Sequence, residues 1–138
     1  MAFDPRSDYP LGSRRRDLVK TPGGLSLDAV TLDSLRAGAL SGDELRATPE
    51  TLRRQGEVAR AAAREQLAAN LERAAELATI PTDVILEAYT ALRPHRSTPH
   101  ELDRWAVRLE HEYGAPRCAE FMREARMAYV ERGLVAER

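Results

Sequence analysis

Cysteine occurs once in the 138 residues, at Cys118, which excludes an internal disulfide and any metal site built from cysteines alone and suits a reducing compartment. No apolar run approaches roughly 18 residues, so nothing in the sequence reads as a membrane span. The opening residues Met1-Ala2-Phe3-Asp4-Pro5-Arg6 put no apolar stretch behind a basic start, so a secretory signal is not expected. These absences predict a soluble, cytoplasmic chain. An excess of one charge is missing too. A net charge of −1 argues against a dedicated nucleic-acid binder, which needs surplus Lys and Arg for phosphates, and against a global steering field. Aromatics are only 5%, and Leu, Ile, Val and Phe together number 28, about a fifth of the chain and near the lower edge for a stable core. With a mean hydropathy of −0.49, the core must be thin and rich in alanine. Lysine is nearly absent: Lys20 stands alone against twenty arginines. GC-rich coding accounts for that bias, and planar, bidentate contacts to carboxylates on a partner are the sharper use of it.

What is present sorts into three stretches. Residues 1–24 hold six of the sixteen Gly and Pro residues together with the Arg14-Arg15-Arg16 run, so they are expected to form an extended N-terminal arm rather than a helix. Tyr9, Leu11, Leu18 and Val19 are apolar anchors along it, suited to lie over the chain's own domain or to dock on another subunit. Residues 25–133 carry only helical signals, and residues 134–138 form a short tail. The fold class is all-α: two short helices, one long Ala-rich helix and three further helices.

The helix boundaries follow from capping chemistry. Thr31 precedes a short apolar turn with Leu32 and Leu35, and Ser41 with Glu44 three residues on has the pattern of a capping box for a second short helix. Thr48-Pro49-Glu50 reads as N-cap, first helical position and acidic first turn. From there to Ala78 no proline intervenes and Gly56 is the only glycine, so a helix of about 45 Å is expected, with a bend near Gly56 or within Arg60–Glu65. Its many alanines favour the helix and let a neighbour approach closely. Val84, Ile85, Ala88, Tyr89 and Leu92 mark the next helix. Thr98-Pro99 with Glu101 is another cap, proline and box set, opening a helix that Gly114 ends. Pro116 restarts the last one, striped by Cys118, Phe121, Met122, Ala125 and Tyr129.

No residue set here supports catalysis alone. His100 and His111 lie about 16 Å apart along one helix and cannot share an ion. His111-Glu112 lacks the second histidine of a zincin helix, and His95 sits between arginines in the Arg93-Pro94-His95-Arg96 loop. Cys118 lies on an apolar stripe, which reads as a buried structural thiol. No Gly-x-Gly-x-x-Gly occurs. Arg60–Arg64 and Glu72–Glu76 are like-charged pairs four apart, each costing about 0.2–0.5 kcal/mol in an isolated helix. A solvated face tolerates such pairs; opposite charges on a partner would also explain them. Candidate interface residues are therefore Tyr9, Leu11, Leu18, Val19, Arg60, Arg64, Arg93, His95 and Arg96.

Several words of this sequence resemble the small subunit of adenosylcobalamin-dependent diol and glycerol dehydratases. They are Asp8-Tyr9-Pro10-Leu11 with Val19-Lys20-Thr21, Thr48-Pro49-Glu50-Thr51-Leu52-Arg53, Asn70 through Leu77, Ala91 through Thr98, and Tyr129-Val130-Glu131-Arg132. Each alone is weak; five in register are specific. The resemblance implies a non-catalytic subunit in a heterohexamer with large and medium subunits. It implies a 1,2-diol or glycerol turned into an aldehyde by a radical route, with adenosylcobalamin and a cation held by the other subunits and none by this chain. No nucleic-acid or membrane partner is implied. His95 departs from the often aromatic residue of that loop, and only seven residues precede Asp8, so microcompartment targeting by this chain is not expected. The alternative reading is a helical adaptor or regulatory protein without catalytic activity.

Overall fold

The computed structural model describes residues 2–137 and divides at the Ala78–Thr79 junction into two compact units. The first contains α1 (Leu11–Arg14), α2 (Leu32–Arg36), α3 (Pro49–Ala61) and α4 (Glu65–Leu77). The second contains α5 (Thr82–Ala91), α6 (Pro99–His111) and α7 (Pro116–Glu131). Three single 3-10 turns lie among the short helices of the first unit. No strand occurs among the described residues, where one isolated antiparallel bridge pairs Lys20 with Ser26. The chain is all-α, as its periodicity predicts.

Three of the expected caps form. Thr31, Thr48 and Thr98 each accept a hydrogen bond from the backbone N–H three residues on, and Thr98 closes a full capping box with Glu101. Ser41 does not. Gly42–Leu45 is a 3-10 turn without a side-chain cap, and the Glu44 carboxylate instead accepts from the Gly23 N–H at 3.3 Å.

The long helix is two helices. It breaks at Ala62-Ala63-Arg64, inside the Arg60–Glu65 stretch where a bend was expected, and the halves α3 and α4 pack on each other as a hairpin. The break is a Schellman motif. Arg64 N–H donates to Ala59 C=O at 2.8 Å, Ala63 N–H donates to Arg60 C=O at 2.9 Å, and Ala63 itself takes the left-handed conformation at φ +57°. The small residues expected to admit a neighbour admit α4: a Cβ on Gly56 would lie 3.5 Å from the Ala68 carbonyl oxygen. Ala59, Ala68 and Ala75 are buried in this first unit. In the second, α6 packs on α7 around Leu102 and Met122, the largest side chains removed entirely from solvent. Side chains of that size contribute about 1.5–3 kcal/mol each when fully buried. Cys118 is buried beside them in sequence, on the apolar side of α7. Phe121 departs from the expected stripe and is exposed.

The N-terminal stretch is more ordered than an extended arm. Asp4 and Asp8 close a turn, α1 follows, and Arg16–Leu18 form a 3-10 turn. Thr21 is buried and closes the next turn, its hydroxyl accepting from Leu25 N–H while Gly24 takes φ +87°. The composition argument for an extended arm fails because single helical turns need only local partners, which the arginines and aspartates supply.

Candidate partner interface

The four apolar anchors of the arm separate. Leu11 is 5% exposed and so belongs to the core of its own chain, whereas Tyr9 is 61% exposed. Leu18 and Val19 are half-buried, and the Arg54 guanidinium donates to the Leu18 carbonyl at 3.1 Å, tying the arm to α3. The neighbouring arginines are engaged within the chain. Arg15 pairs with Asp8 at 2.7 Å and Asp17 at 3.0 Å, Arg14 donates to the Ser7 carbonyl, and Arg16 pairs with Asp28. The Asp4 N–H bonded to Asp8, reinforced by Arg15, holds the Asp8 carboxyl below the ordinary range, and Arg15 does the same to Asp17.

Arg60, expected to seek carboxylates on a partner, finds them at home. Its guanidinium lies 2.6 Å from Glu72 and 3.4 Å from Glu65, both on α4, and the hairpin brings them together. Arg64 stands exposed at the start of α4, and its guanidinium makes no bond among the described residues. The like-charged pair therefore divides between an internal tie and a solvated charge.

The loop of Arg93, His95 and Arg96 is exposed, as expected, and it is held from below. His95 takes φ +60° and its N–H donates to the Leu134 carbonyl at 2.7 Å. Ala136 N–H donates to the Ser97 carbonyl at 2.9 Å, the buried Ser97 hydroxyl donates to Ala91 C=O at 2.8 Å, and the Tyr129 hydroxyl donates to Leu92 C=O at 2.5 Å. Leu134 and Ala136, in the short C-terminal tail, thus clamp the loop, and Arg96 is presented on a fixed backbone.

Arg96 opens onto a cleft of about 720 Å³ between α5 and α6. Leu86 and Thr90 line its α5 wall, and Arg104, Trp105 and Arg108 line its α6 wall. The Arg108 guanidinium sits 4.9 Å from the centre of the half-buried Trp105 ring. It also donates to the Tyr113 hydroxyl at 3.3 Å and to the Glu112 carboxylate at 3.3 Å, with Glu87 at 3.5 Å. These partners, Tyr113 foremost, hold its proton more firmly than usual. The sequence singled out Arg96 but missed Arg104 and Arg108. Their spacing of four, with Trp105 three residues before Arg108, was the available signal, since it puts the two arginines on one face of α6 and the tryptophan within reach of Arg108. On the other side of α6, Arg123 of α7 pairs with Glu110 and lowers its carboxyl below the ordinary range.

The cleft between α5 and α6 is walled by three arginines, and His95, His100 and His111 line other clefts among charged side chains. No helix among the described residues is long and apolar enough to cross a membrane.

Residues 5–136 match the dehydratase small subunit family, and the chain belongs to that family. It is 49% identical over 126 residues to the propanediol dehydratase small subunit of Citrobacter freundii, covering 91% of this chain and 73% of that one. The propanediol dehydratase small subunit of Salmonella typhimurium strain LT2 matches with the same identity and coverage.

Proposed function

We propose that this chain is the non-catalytic small subunit of an adenosylcobalamin-dependent diol dehydratase, working in the cytoplasm in a heterohexamer with large and medium subunits. The substrate is a 1,2-diol of the propanediol class, converted to an aldehyde by a radical route. Adenosylcobalamin and a cation belong to the other subunits. The observation that carries the reading is the 49% identity, across 91% of the chain, to small subunits named for propanediol dehydratase. The surface supports it. In a chain poor in apolar residues, Leu32 and Leu45 in the first unit and Leu86, Tyr89 and Met127 in the second are each more than half exposed, a pattern expected of a protein that completes its apolar contacts on a partner. Small-subunit residues would then act by holding the geometry of the large subunit.

The test is reconstitution. Co-expressed large, medium and small subunits should consume 1,2-propanediol with adenosylcobalamin, and omission of this chain should depress that rate. The purified chain alone should neither turn over the diol nor shift the cobalamin spectrum. Micromolar cobalamin binding by this chain alone would overturn the assignment.

A further inference from the structure

We propose that the cleft between α5 and α6 receives a carboxylate-bearing segment of the large dehydratase subunit, with Arg96 and Arg104 as its charge-reading residues and Leu86 and Trp105 as its apolar floor. This rests on the subunit reading above and names the surface through which it operates.

The charge arithmetic of the cleft carries the inference. Five charged side chains line it: Glu87, Glu101, Arg96, Arg104 and Arg108. Glu101 is committed to the capping box, accepting from the Thr98 N–H at 2.8 Å and its hydroxyl at 3.1 Å. Glu87 is the nearest acid to Arg108 from α5, at 3.5 Å. Neither Arg96 nor Arg104 has a side-chain hydrogen bond or ion pair among the described residues. Glu101 keeps its negative charge while its hydrogen bonds go to the cap, and Glu87 pairs with Arg108, so the cleft carries a net charge of 3 − 2 = +1, and Arg96 and Arg104 face it with no hydrogen bond or ion pair among the described residues. Guanidinium forks match carboxylates in a planar, two-point geometry. Arg96 is placed by the clamped loop and Arg104 by a helix with a full N-terminal capping box, so both charges stand on fixed backbone. That arrangement suits a partner whose acids arrive in a fixed position.

The apolar part selects a protein segment over a free anion. Leu86 is 61% exposed at the cleft wall, and Trp105 lies half-buried under the Arg108 guanidinium. Tryptophan and arginine side by side are the residue types enriched at binding hot spots. A segment with one or two carboxylates and a neighbouring apolar side chain satisfies both halves of the cleft. A nucleic acid is disfavoured by the net charge of −1 on the chain, since phosphate binding needs a clear excess of Lys and Arg.

The double substitution Arg96→Glu with Arg104→Glu tests this in the complex of co-expressed subunits. Neither guanidinium bonds within the chain, so the helical circular dichroism should be unchanged. Binding of the variant to the large subunit should weaken at least tenfold at low salt, and its salt dependence should flatten, because a rim charge acts on encounter and screening. Arg53→Glu on α3, also exposed and without a side-chain partner among the described residues, should change binding less than twofold. A photo-crosslinking residue at Leu86 should capture a large-subunit peptide containing Asp or Glu. Equal binding of the double variant, or a crosslinked peptide without a carboxylate, overturns the inference while leaving the subunit reading intact. Nucleic acid retained by the wild type and released by the double variant also overturns it. Failure of the wild-type chain to co-purify with the other subunits at all overturns both.

Discussion

Ala63 occupies a backbone conformation at φ +57° that costs an L-residue with a Cβ roughly 1–2 kcal/mol. The same motif closes α7 with Gly133 in the equivalent place, at φ +66° with Leu134 N–H on the Tyr129 carbonyl, where the residue is suited to the turn. Ala63→Gly should therefore raise stability by about 0.5–1 kcal/mol, once the larger entropy of glycine in the unfolded chain is set against the relieved strain. That corresponds to a midpoint roughly 1–4 °C higher by thermal circular dichroism. Ala61→Gly, two residues earlier in the last turn of α3, should move the midpoint the opposite way by a similar amount, because there glycine only loses helix propensity. If both substitutions lower the midpoint, the break between α3 and α4 is not held by the Ala63 turn.

At the scale of elements, capping and charge decide what forms. Thr98→Ala removes the hydroxyl that caps α6 and leaves the Glu101 backbone N–H without its acceptor, so a loss of about 1 kcal/mol is expected in urea denaturation. Ser41→Ala should be nearly neutral, since Ser41 accepts no cap bond. The contrast shows what was legible in the sequence. Thr31, Thr48 and Thr98 were readable because cap, spacing and following apolar pattern agree. Ser41 carries the same Ser-x-x-Glu letters, but Glu44 is drawn across to the Gly23 backbone, a contact that sequence spacing does not encode. The hairpin break was readable only as a region, because Ala62-Ala63-Arg64 contains no Gly or Pro and tertiary packing of α3 on α4 overrides a strong local preference for helix. Loop residue Arg96 is legible from its charged loop setting, while Arg104 and Arg108 carry no cap or loop signal and gain their meaning only from α5 opposite them. Acid should expose the charge ties. Asp8, Asp17 and Glu110 have folded pKa values below their ordinary ones, so their stabilisation is fully present above the unfolded values near 4 and is lost as pH falls through the folded values. The midpoint should stay level from about pH 7 to 5 and fall below about pH 4, and Asp8→Asn should remove part of that fall; a midpoint independent of pH down to 3 would deny these ties a role.

For the whole molecule, the division at Ala78–Thr79 leaves 78 residues on one side and 138 − 78 = 60 on the other. A unit of about 60 residues buries only about 60% of the surface its unfolded chain exposes, which makes each half marginal by itself. Exposed Leu32 and Leu45 in the first, and Leu86 and Met127 in the second, are apolar area that neither unit has covered. Anything that binds the folded chain alone adds RT ln(1 + [L]/Kd) to its stability, about 2.7 kcal/mol at a concentration one hundred times Kd. On the subunit reading, the large subunit at that excess should slow exchange of the best-protected amides by roughly 100-fold. Leu102 and Met122 report the second unit, and Ala68 and Ala75 the first. Slowing at all four means that the partner holds both units. Slowing at Leu102 and Met122 alone assigns the contact to the half that carries the arginine-walled cleft. In the Arg96→Glu, Arg104→Glu variant, at the same concentrations, that protection should drop at least several-fold at Leu102 and Met122, while intrinsic exchange of the free chain stays as it was. Protection unchanged by the large subunit at every one of these positions would mean that the chain stands alone in solution, whatever its family does.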